Sequence, residues 1–302
     1  MDPDSEIRIK FPPFFRVYKS GRVERLVGTT TVAASLDPSP AGVHSRDVAI
    51  SPAVSARLYL PNDTSPAERL PIVIYYHGGG FCIESAFSPL YHPYLTSFSS
   101  RARSLVVSVE YRLAPEHRLP AAHDDAWTAF RWAFGPDPDE WLVRHGDTKA
   151  TFLAGDSAGA NLAHYVATRA SAEGIPIEGM VLVHPYFGPK TDGAAMRRVW
   201  DVISEMDIED VRHKPAADGG KAMMAGLRCG RVMVAVAERD MLKGRGVAYW
   251  EALRGSGWGG EAELVETEGE DHVFHLLRPG CSKGEELMER IVAFINGRQK
   301  KK

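Results

Sequence analysis

Continuous apolar runs alternate with helical patterns along most of this 302-residue chain. Six runs have the composition of strands buried on both faces, at 72–76, 105–109, 151–154, 180–183, 232–237 and 263–266. Apolar residues recur at three-and-four spacing, as in helices, over 90–103, 121–134, 158–172, 246–254 and 285–295. This alternation predicts an α/β protein with a doubly wound, mostly parallel sheet. Ligands of such sheets bind at the carboxyl ends of the strands.

The regions outside this alternation are of two kinds. Apolar and polar residues alternate singly at 22–27, 46–50 and 55–60, as in half-exposed strands. We predict that these three stretches form an antiparallel meander at one edge of the sheet. Residues 1–21 and 189–225 carry apolar residues without a clean period. We predict that they pack together over the carboxyl edge of the sheet as a small lid.

The composition is that of an ordinary globular protein, with 44% hydrophobic and 25% charged residues. We predict a single domain, residues 1–302, that ends in a flexible tail at 298–302. The formal net charge is −3, and the only basic run lies in that tail, so we expect no nucleic-acid partner. The sequence does not predict an oligomeric state.

The cysteines and the first residues of the chain indicate the cellular compartment of the protein. The three cysteines are widely separated and odd in number, which predicts neither a disulfide framework nor a zinc site. The first residues lack a basic and apolar leader, and no apolar stretch is long enough to span a membrane. We therefore predict a cytoplasmic protein, with the nucleus as an alternative, and no membrane span.

A Gly-Asp-Ser-Ala-Gly pentapeptide centred on Ser157 lies between a predicted strand and a predicted helix. In that context the pattern is typical of a nucleophile elbow, a turn so sharp that only small residues can flank the serine. A second match, centred on Ser282, follows Pro279, which cannot donate to a sheet ladder. We interpret Ser282 as a helix N-cap. Ser157 is the candidate nucleophile.

A nucleophilic serine needs a base to take its proton and an acid to orient that base. Asp240 follows the predicted strand 232–237, and His272 follows the last predicted strand. Both positions suit an acid and a base that come after the serine in the chain. Glu238 is the reserve candidate for the acid, and His275 competes with His272. We favour Asp240 and His272.

The glycine-rich segment His77–Phe81 directly follows the first predicted buried strand. Glycines let the backbone approach a ligand and direct its N–H groups at a developing oxyanion. We therefore predict that Gly78 and Gly79 donate to the oxyanion, together with the N–H of Ala158 after the nucleophile.

The sequence does not support two other uses of such motifs. Glycine-rich loops also bind phosphate, but the chain has no G-x-x-x-x-G-K-[ST] and no G-x-G-x-x-G after a strand. The eleven histidines are scattered, and no H-E-x-x-H occurs. We predict no metal site and no cofactor.

Four motifs together resemble the plant carboxylesterases of the hormone-sensitive-lipase-like class. They are His-Gly-Gly-Gly-Phe at 77–81, Val-Glu-Tyr-Arg-Leu-Ala-Pro-Glu at 109–116, Gly-Asp-Ser-Ala-Gly-Ala-Asn at 155–161 and Glu-Asp-His-Val-Phe-His-Leu at 270–276. The resemblance runs from about Ile9 to the C-terminal helix. It implies an α/β-hydrolase fold with a mostly parallel eight-stranded sheet and a lid to which the N-terminal segment contributes.

The resemblance also implies hydrolysis of carboxylic esters by Ser157, Asp240 and His272. The residues expected to contact the substrate are Gly80, Phe81, Asp156 and Tyr186, although the main role expected for Asp156 is to fix the elbow. The same family includes the gibberellin receptor, which has lost the catalytic histidine, and 2-hydroxyisoflavanone dehydratase, which eliminates water. The presence of His272 argues against a receptor, and the dehydratase stays open.

The chain departs from the family in one region. Between the segment 184–187 and the acid-bearing strand, relatives carry a tryptophan-rich loop and a D-P-x-x-N-P segment. Here residues 200–218 are shortened and rewritten, with only Val-Arg-His-Lys-Pro at 211–215 in that place. Because this region lines the acyl pocket in this fold, the resemblance predicts the reaction mechanism of this chain better than it predicts the substrate. We predict a serine carboxylesterase for small, largely apolar esters, with a weakly catalytic hormone-like receptor or a dehydratase as alternatives.

Overall fold

The computed structural model describes residues 3–188, 194–217 and 219–297, without the side chains of residues 194–197. The strands in this part of the chain are β1 Ile7–Phe11, β2 Phe15–Tyr18, β3 Val23–Arg25, β4 Val43–Ser51, β5 Val54–Pro61, β6 Leu70–Tyr76, β7 Leu105–Glu110, β8 Gly146–Asp156, β9 Ile177–Val183, β10 Cys229–Ala237 and β11 Glu261–Thr267. Eight of them form the main sheet, in the order β11-β10-β9-β8-β6-β7-β5-β4. Five of its pairings are parallel, and the two that involve β5 are antiparallel.

Helices cover both faces of this sheet. Their bounds are α1 Tyr91–Ala102, α2 Ala121–Ala133, α3 Glu140–His145, α4 Ala158–Ala172, α5 Ala194–Ile203, α6 Gly220–Ala225, α7 Lys243–Arg254, α8 Phe274–Leu277 and α9 Ser282–Ile295. Apolar residues of α1, α8 and α9 share one buried cluster with one face of the sheet. Those of α2, α4 and α7 share a second cluster with the opposite face. The predicted α/β architecture with a mostly parallel eight-stranded sheet is confirmed.

One predicted strand pairs elsewhere. Of the stretch 22–27, residues Val23–Arg25 form β3, which pairs with β2 in a separate three-stranded sheet and not with the edge of the main sheet. Only β4 and β5 form the antiparallel edge. The prediction of a three-strand meander was therefore wrong, because period-two alternation identifies a strand but not the strand it pairs with.

The two stretches expected to form a lid have regular structure in part. Strands β1 and β2 lie within 1–21, and helices α5 and α6 lie within 189–225. Phe15 of β2 and Trp200 of α5 belong to the same buried cluster. The lid role and the single-domain assignment stay predictions, and the predicted tail at 298–302 lies outside the described residues.

The register of the parallel strands sets where the functional loops emerge. Tyr76 at the end of β6 is level with Gly155 of β8, and Asp156 is level with Val183 of β9. At the other side, Ala237 of β10 is level with Thr267 of β11. The loops that carry the glycine motif, the serine, the acid and the histidine therefore all leave the sheet at the carboxyl ends of its parallel strands.

Candidate active site

Ser157 occupies the turn between β8 and α4 in a conformation that few residues adopt. Its φ is 52° and its ψ is −117°, so the serine lies in a strained region of backbone space. A Cβ on Gly159 would lie 1.8 Å from the carbonyl oxygen of Tyr76, and one on Gly155 would lie 2.5 Å from Gly159 C. The two glycines thus let the turn close against β6, and the Ser157 N–H donates to Val183 O at 2.8 Å.

Ser157, His272 and Asp240 form one hydrogen-bonded chain. His272 Nδ1 lies 2.8 Å from Asp240 Oδ2, and its Nε2 lies 3.0 Å from Ser157 Oγ. Because a carboxylate only accepts, Nδ1 donates to Asp240, which leaves Nε2 with a lone pair that faces the serine hydroxyl. The arrangement can therefore remove the serine proton.

Asp240 is held in its charged form. Burial alone would raise its pKa, but the hydrogen bond and charge of His272 and the N–H of Leu242 hold that pKa below its ordinary value. The Leu242 N–H donates to Asp240 Oδ1 at 2.7 Å. Both carboxylate oxygens are thus occupied, and the acid is fixed with one oxygen toward His272.

The reserve candidates lie apart from this chain of hydrogen bonds. Glu238 is exposed, and its Oε2 accepts from the N–H of Gly269 at 2.6 Å. His275 is buried in α8, where its ring packs against Tyr94. Ser282 is the exposed first residue of α9, so its predicted role as N-cap was wrong by one residue; Cys281 occupies the N-cap position.

One predicted oxyanion donor of the glycine loop, the N–H of Gly78, is used elsewhere. The N–H of Gly78 donates to Tyr91 Oη at 2.7 Å, so this group is already engaged and does not face the nucleophile as an open donor. No hydrogen bond between described residues uses the N–H of Gly79, Gly80 or Ala158. Gly79 has a φ of +102°, which favours glycine. The open donors of this loop are thus those of Gly79 and Gly80.

Asp156, the residue before Ser157, is buried and anchors the turn that carries the serine. It is 1% exposed, and its two oxygens accept from Tyr75 Oη at 2.8 Å and Tyr91 Oη at 2.9 Å. Burial raises the pKa of Asp156 to about 6, against the lowering effect of these hydrogen bonds. Its predicted contact with the substrate was wrong, because both oxygens are committed to buried tyrosines. Tyr91 Oη joins this carboxylate to Gly78.

Of the remaining predicted substrate contacts, Tyr186 is hydrogen-bonded to the backbone of Ser157. The Tyr186 N–H donates to Ser157 O at 2.9 Å, and the Tyr186 ring packs edge-on against Phe81. Phe81 is buried, whereas Tyr186 is half-buried. Gly80 has open space around its Cα. Contact of Gly80, Phe81 and Tyr186 with a substrate stays a prediction.

Sequence reasoning missed three residues that hold the site together. Tyr91 connects the glycine loop to the elbow, and no local pattern marks it. Asn161 lies one turn into α4, where its Nδ2 donates to Arg212 O at 2.7 Å and ties the rewritten segment to the elbow helix. His184 accepts from the N–H of Val273. Asn161 lies in one of the four motifs that carry the resemblance, and His184 begins the segment 184–187 that precedes the rewritten region, but neither had been given a role.

Ring nitrogens of His184 and His272 and a carboxylate oxygen of Asp240 lie within 4.8 Å of one another. This spacing would suit a metal ion, but both histidines use Nδ1 in hydrogen bonds, His272 to Asp240 and His184 from Val273. We therefore interpret the cluster as part of the serine site.

The chain is similar to known proteins over most of its length. A sequence profile of the α/β-hydrolase fold matches residues 73–276. The chain belongs to the α/β-hydrolase family. Probable carboxylesterase 13 of Arabidopsis thaliana is 43% identical over 327 positions, which cover 97% of this hydrolase and 99% of the relative. Tuliposide A-converting enzyme b1, amyloplastic, of Tulipa gesneriana is 46% identical, over 97% of the hydrolase and 81% of its own length.

Solved structures of esterases are also similar to this chain. A hyperthermophilic esterase from the archaeon Pyrobaculum calidifontis is 29% identical, with a TM-score of 0.70 over 84% of this hydrolase and 85% of that chain. A thermostable carboxylesterase cloned from a metagenomic library is 28% identical, with a TM-score of 0.68 over 90% and 92% of the two chains. The predictions of family and enzyme class are confirmed: the protein is a carboxylic ester hydrolase of the plant carboxylesterase type, and small-molecule esters are its substrates.

No helix in the described part of this hydrolase is long and apolar enough to cross a membrane. The cytoplasmic location stays a prediction.

Proposed function

We propose that the protein is a serine carboxylesterase that hydrolyses small, largely apolar esters through Ser157, His272 and Asp240. The observation that carries the proposal is the single hydrogen-bonded chain from Asp240 through His272 to Ser157 Oγ, with contacts of 2.8 and 3.0 Å. These distances lie in the range that proton transfer between a base and a nucleophile requires.

In the proposed acylation step, Ser157 Oγ attacks the ester carbonyl carbon while its proton moves to His272 Nε2. The carbonyl oxygen becomes an oxyanion that accepts from the N–H groups of Gly79, Gly80 and Ala158. The tetrahedral intermediate collapses, and the alcohol leaves with the proton from His272. Water then attacks the acyl-serine by the same route, which releases the acid and restores Ser157.

The preference for small, apolar esters rests on the surroundings of Ser157. The serine is only 7% exposed, and the half-buried Tyr186, whose N–H donates to Ser157 O, packs its ring against Phe81. The alignment with the Arabidopsis relative spans 327 positions and is longer than this 302-residue chain, so that relative has segments that this hydrolase lacks. We infer that these missing segments shorten the pocket wall at the rewritten residues 200–218, which favours short acyl groups.

The test compares Ser157→Ala with wild type on nitrophenyl acetate, butyrate and octanoate. Ser282→Ala is the matched control, since it changes the other serine with the same flanking pattern, on an exposed helix end. We expect Ser157→Ala to lose at least about 10³-fold in kcat, in keeping with loss of a nucleophile, and Ser282→Ala to be unchanged. Wild-type rates for Ser157→Ala would refute the mechanism. Faster turnover of the octanoate than of the acetate would refute the size preference.

Two further assays address the rival functions. A receptor with an unactivated serine would react slowly with a fluorophosphonate probe, whereas we expect rapid labelling that Ser157→Ala abolishes. A dehydratase would form the dehydrated product from a hydroxyflavanone-like compound, and we expect none. Because relatives of 46% identity are named tuliposide A-converting enzymes, tuliposide A is a further ester to assay.

A further inference from the structure

His184 lies directly after β9, beside the catalytic chain but outside it. Its backbone has a φ of 48°, and its N–H donates to Ala235 O of the neighbouring strand at 2.8 Å. The ring is 1% exposed and packs against Phe274 and His275, at centroid distances of 5.8 and 5.6 Å. The side chain is therefore fixed by the sheet on one side and by α8 on the other.

This ring contacts the peptide that follows His272. The N–H of Val273 donates to His184 Nδ1 at 2.9 Å. Val273 itself has a φ of 47°, in the left-handed region that a β-branched residue avoids. The orientation of the His272–Val273 peptide determines where the His272 ring points, so a bond that fixes this peptide also fixes the base.

The bond has a defined direction. Burial lowers the pKa of His184 well below its ordinary value, and the nearby His275 and His272 lower it further. The ring is thus neutral at physiological pH, and Nδ1 can accept only if the ring proton lies on Nε2. The acceptor is therefore present whenever the protein is folded at neutral pH.

We propose that His184 is a positioning residue, whose Nδ1 holds the Val273 peptide in its left-handed conformation and thereby aims the His272 ring at Ser157. The inference rests on the esterase mechanism proposed above. His184 transfers no proton and contacts no substrate. Its contribution appears in the rate of the chemical step and not in substrate binding.

The test is a matched pair of variants at one position. Asn and Leu have nearly the same shape, and the Asn amide oxygen lies the same number of bonds from Cβ as the histidine Nδ1. His184→Asn can keep the acceptor, whereas His184→Leu leaves the Val273 N–H without one. We expect His184→Leu to lower kcat at least about tenfold with KM unchanged, and His184→Asn to stay within about threefold of wild type. Equal kcat values for the two variants would overturn the proposal.

A second variant tests the same bond from the Val273 side, with kcat referred to the concentration of folded protein so that poor folding of His184→Leu does not mimic a loss. Glycine adopts a positive φ without strain, so Val273→Gly reduces the need for the bond to His184. We expect His184→Leu to cost less in kcat when it is made in a Val273→Gly protein than in wild type. An equal or larger loss in the Val273→Gly background contradicts the proposal.

The outcomes separate this inference from the proposed function. If Ser157→Ala keeps wild-type activity, the serine mechanism itself fails. If Ser157→Ala is inactive while His184→Leu matches wild type in kcat, the mechanism stands and only the role of His184 is wrong.

Discussion

Replacing Tyr91 with Phe removes one hydroxyl that serves two parts of the site. Tyr91 Oη accepts from the Gly78 N–H at 2.7 Å and donates to Asp156 Oδ2 at 2.9 Å, and all three residues are buried. The variant leaves a buried N–H without an acceptor and a buried carboxylate with one donor fewer. Each loss is worth about 1–3 kcal/mol, so we expect the unfolding free energy to fall by about 2–6 kcal/mol.

The same substitution acts on catalysis through the glycine loop. Loss of one oxyanion donor lowers kcat about 10²–10³-fold, and a displaced loop weakens the donors of Gly79 and Gly80 without removing them. We therefore expect a loss of kcat of about tenfold or more with little change in KM. The control is Tyr94→Phe, three residues along α1, whose hydroxyl makes no hydrogen bond to another described residue.

The assays are urea unfolding, followed by fluorescence, and hydrolysis of nitrophenyl acetate. If Tyr91→Phe matches Tyr94→Phe in both unfolding midpoint and kcat, the bridge from Asp156 to the glycine loop has no energetic role and the reasoning is wrong.

Two further predictions concern the elbow. Burial raises the pKa of Asp156 to about 6 in the folded protein, so the folded state binds this proton more tightly than the unfolded chain, and stability falls as pH rises from about 4 to 6. Asp156→Asn removes this dependence, so its unfolding free energy relative to wild type should rise by up to about 3 kcal/mol between pH 4 and 7; a flat difference in urea titrations would contradict it. Gly159→Ala should abolish activity and lower the thermal midpoint, because its Cβ would meet Tyr76 O at 1.8 Å, whereas Gly244→Ala, in open space on α7, should raise stability by about 0.5–1 kcal/mol. Equal thermal midpoints for those two variants would refute the packing argument.

Local patterns were sufficient for much of this protein. Continuous apolar runs identified β6 to β10, since burial on both faces of a parallel sheet leaves a signal in adjacent residues. The predicted strand 263–266 exists as β11, but it is a partly exposed edge strand and is not buried on both faces. The elbow could be predicted because its small residues and its strand-to-helix position are local requirements. Ser157, Asp240 and His272 were each placed by the strand they follow, and the structure brings these three side chains together.

Hydrogen-bond partners distant in sequence were decided only by the tertiary structure. Gly78 and Gly79 look equivalent in the sequence, but Tyr91, thirteen residues away, takes the N–H of Gly78. Asp156 was expected to reach a substrate, yet Tyr75, eighty-one residues away, occupies one of its oxygens.

The sequence by itself determined the α/β architecture and the order of the candidate nucleophile, acid and base, because periodicity and turn chemistry are properties of neighbouring residues. It could not assign β3 to a separate sheet, since alternation does not encode a pairing partner. The tertiary structure alone decided which backbone donors stay open and that His184 contacts the peptide beside the base. A donor or acceptor is used once packing brings its partner within about 3 Å, and that proximity is a property of the whole fold.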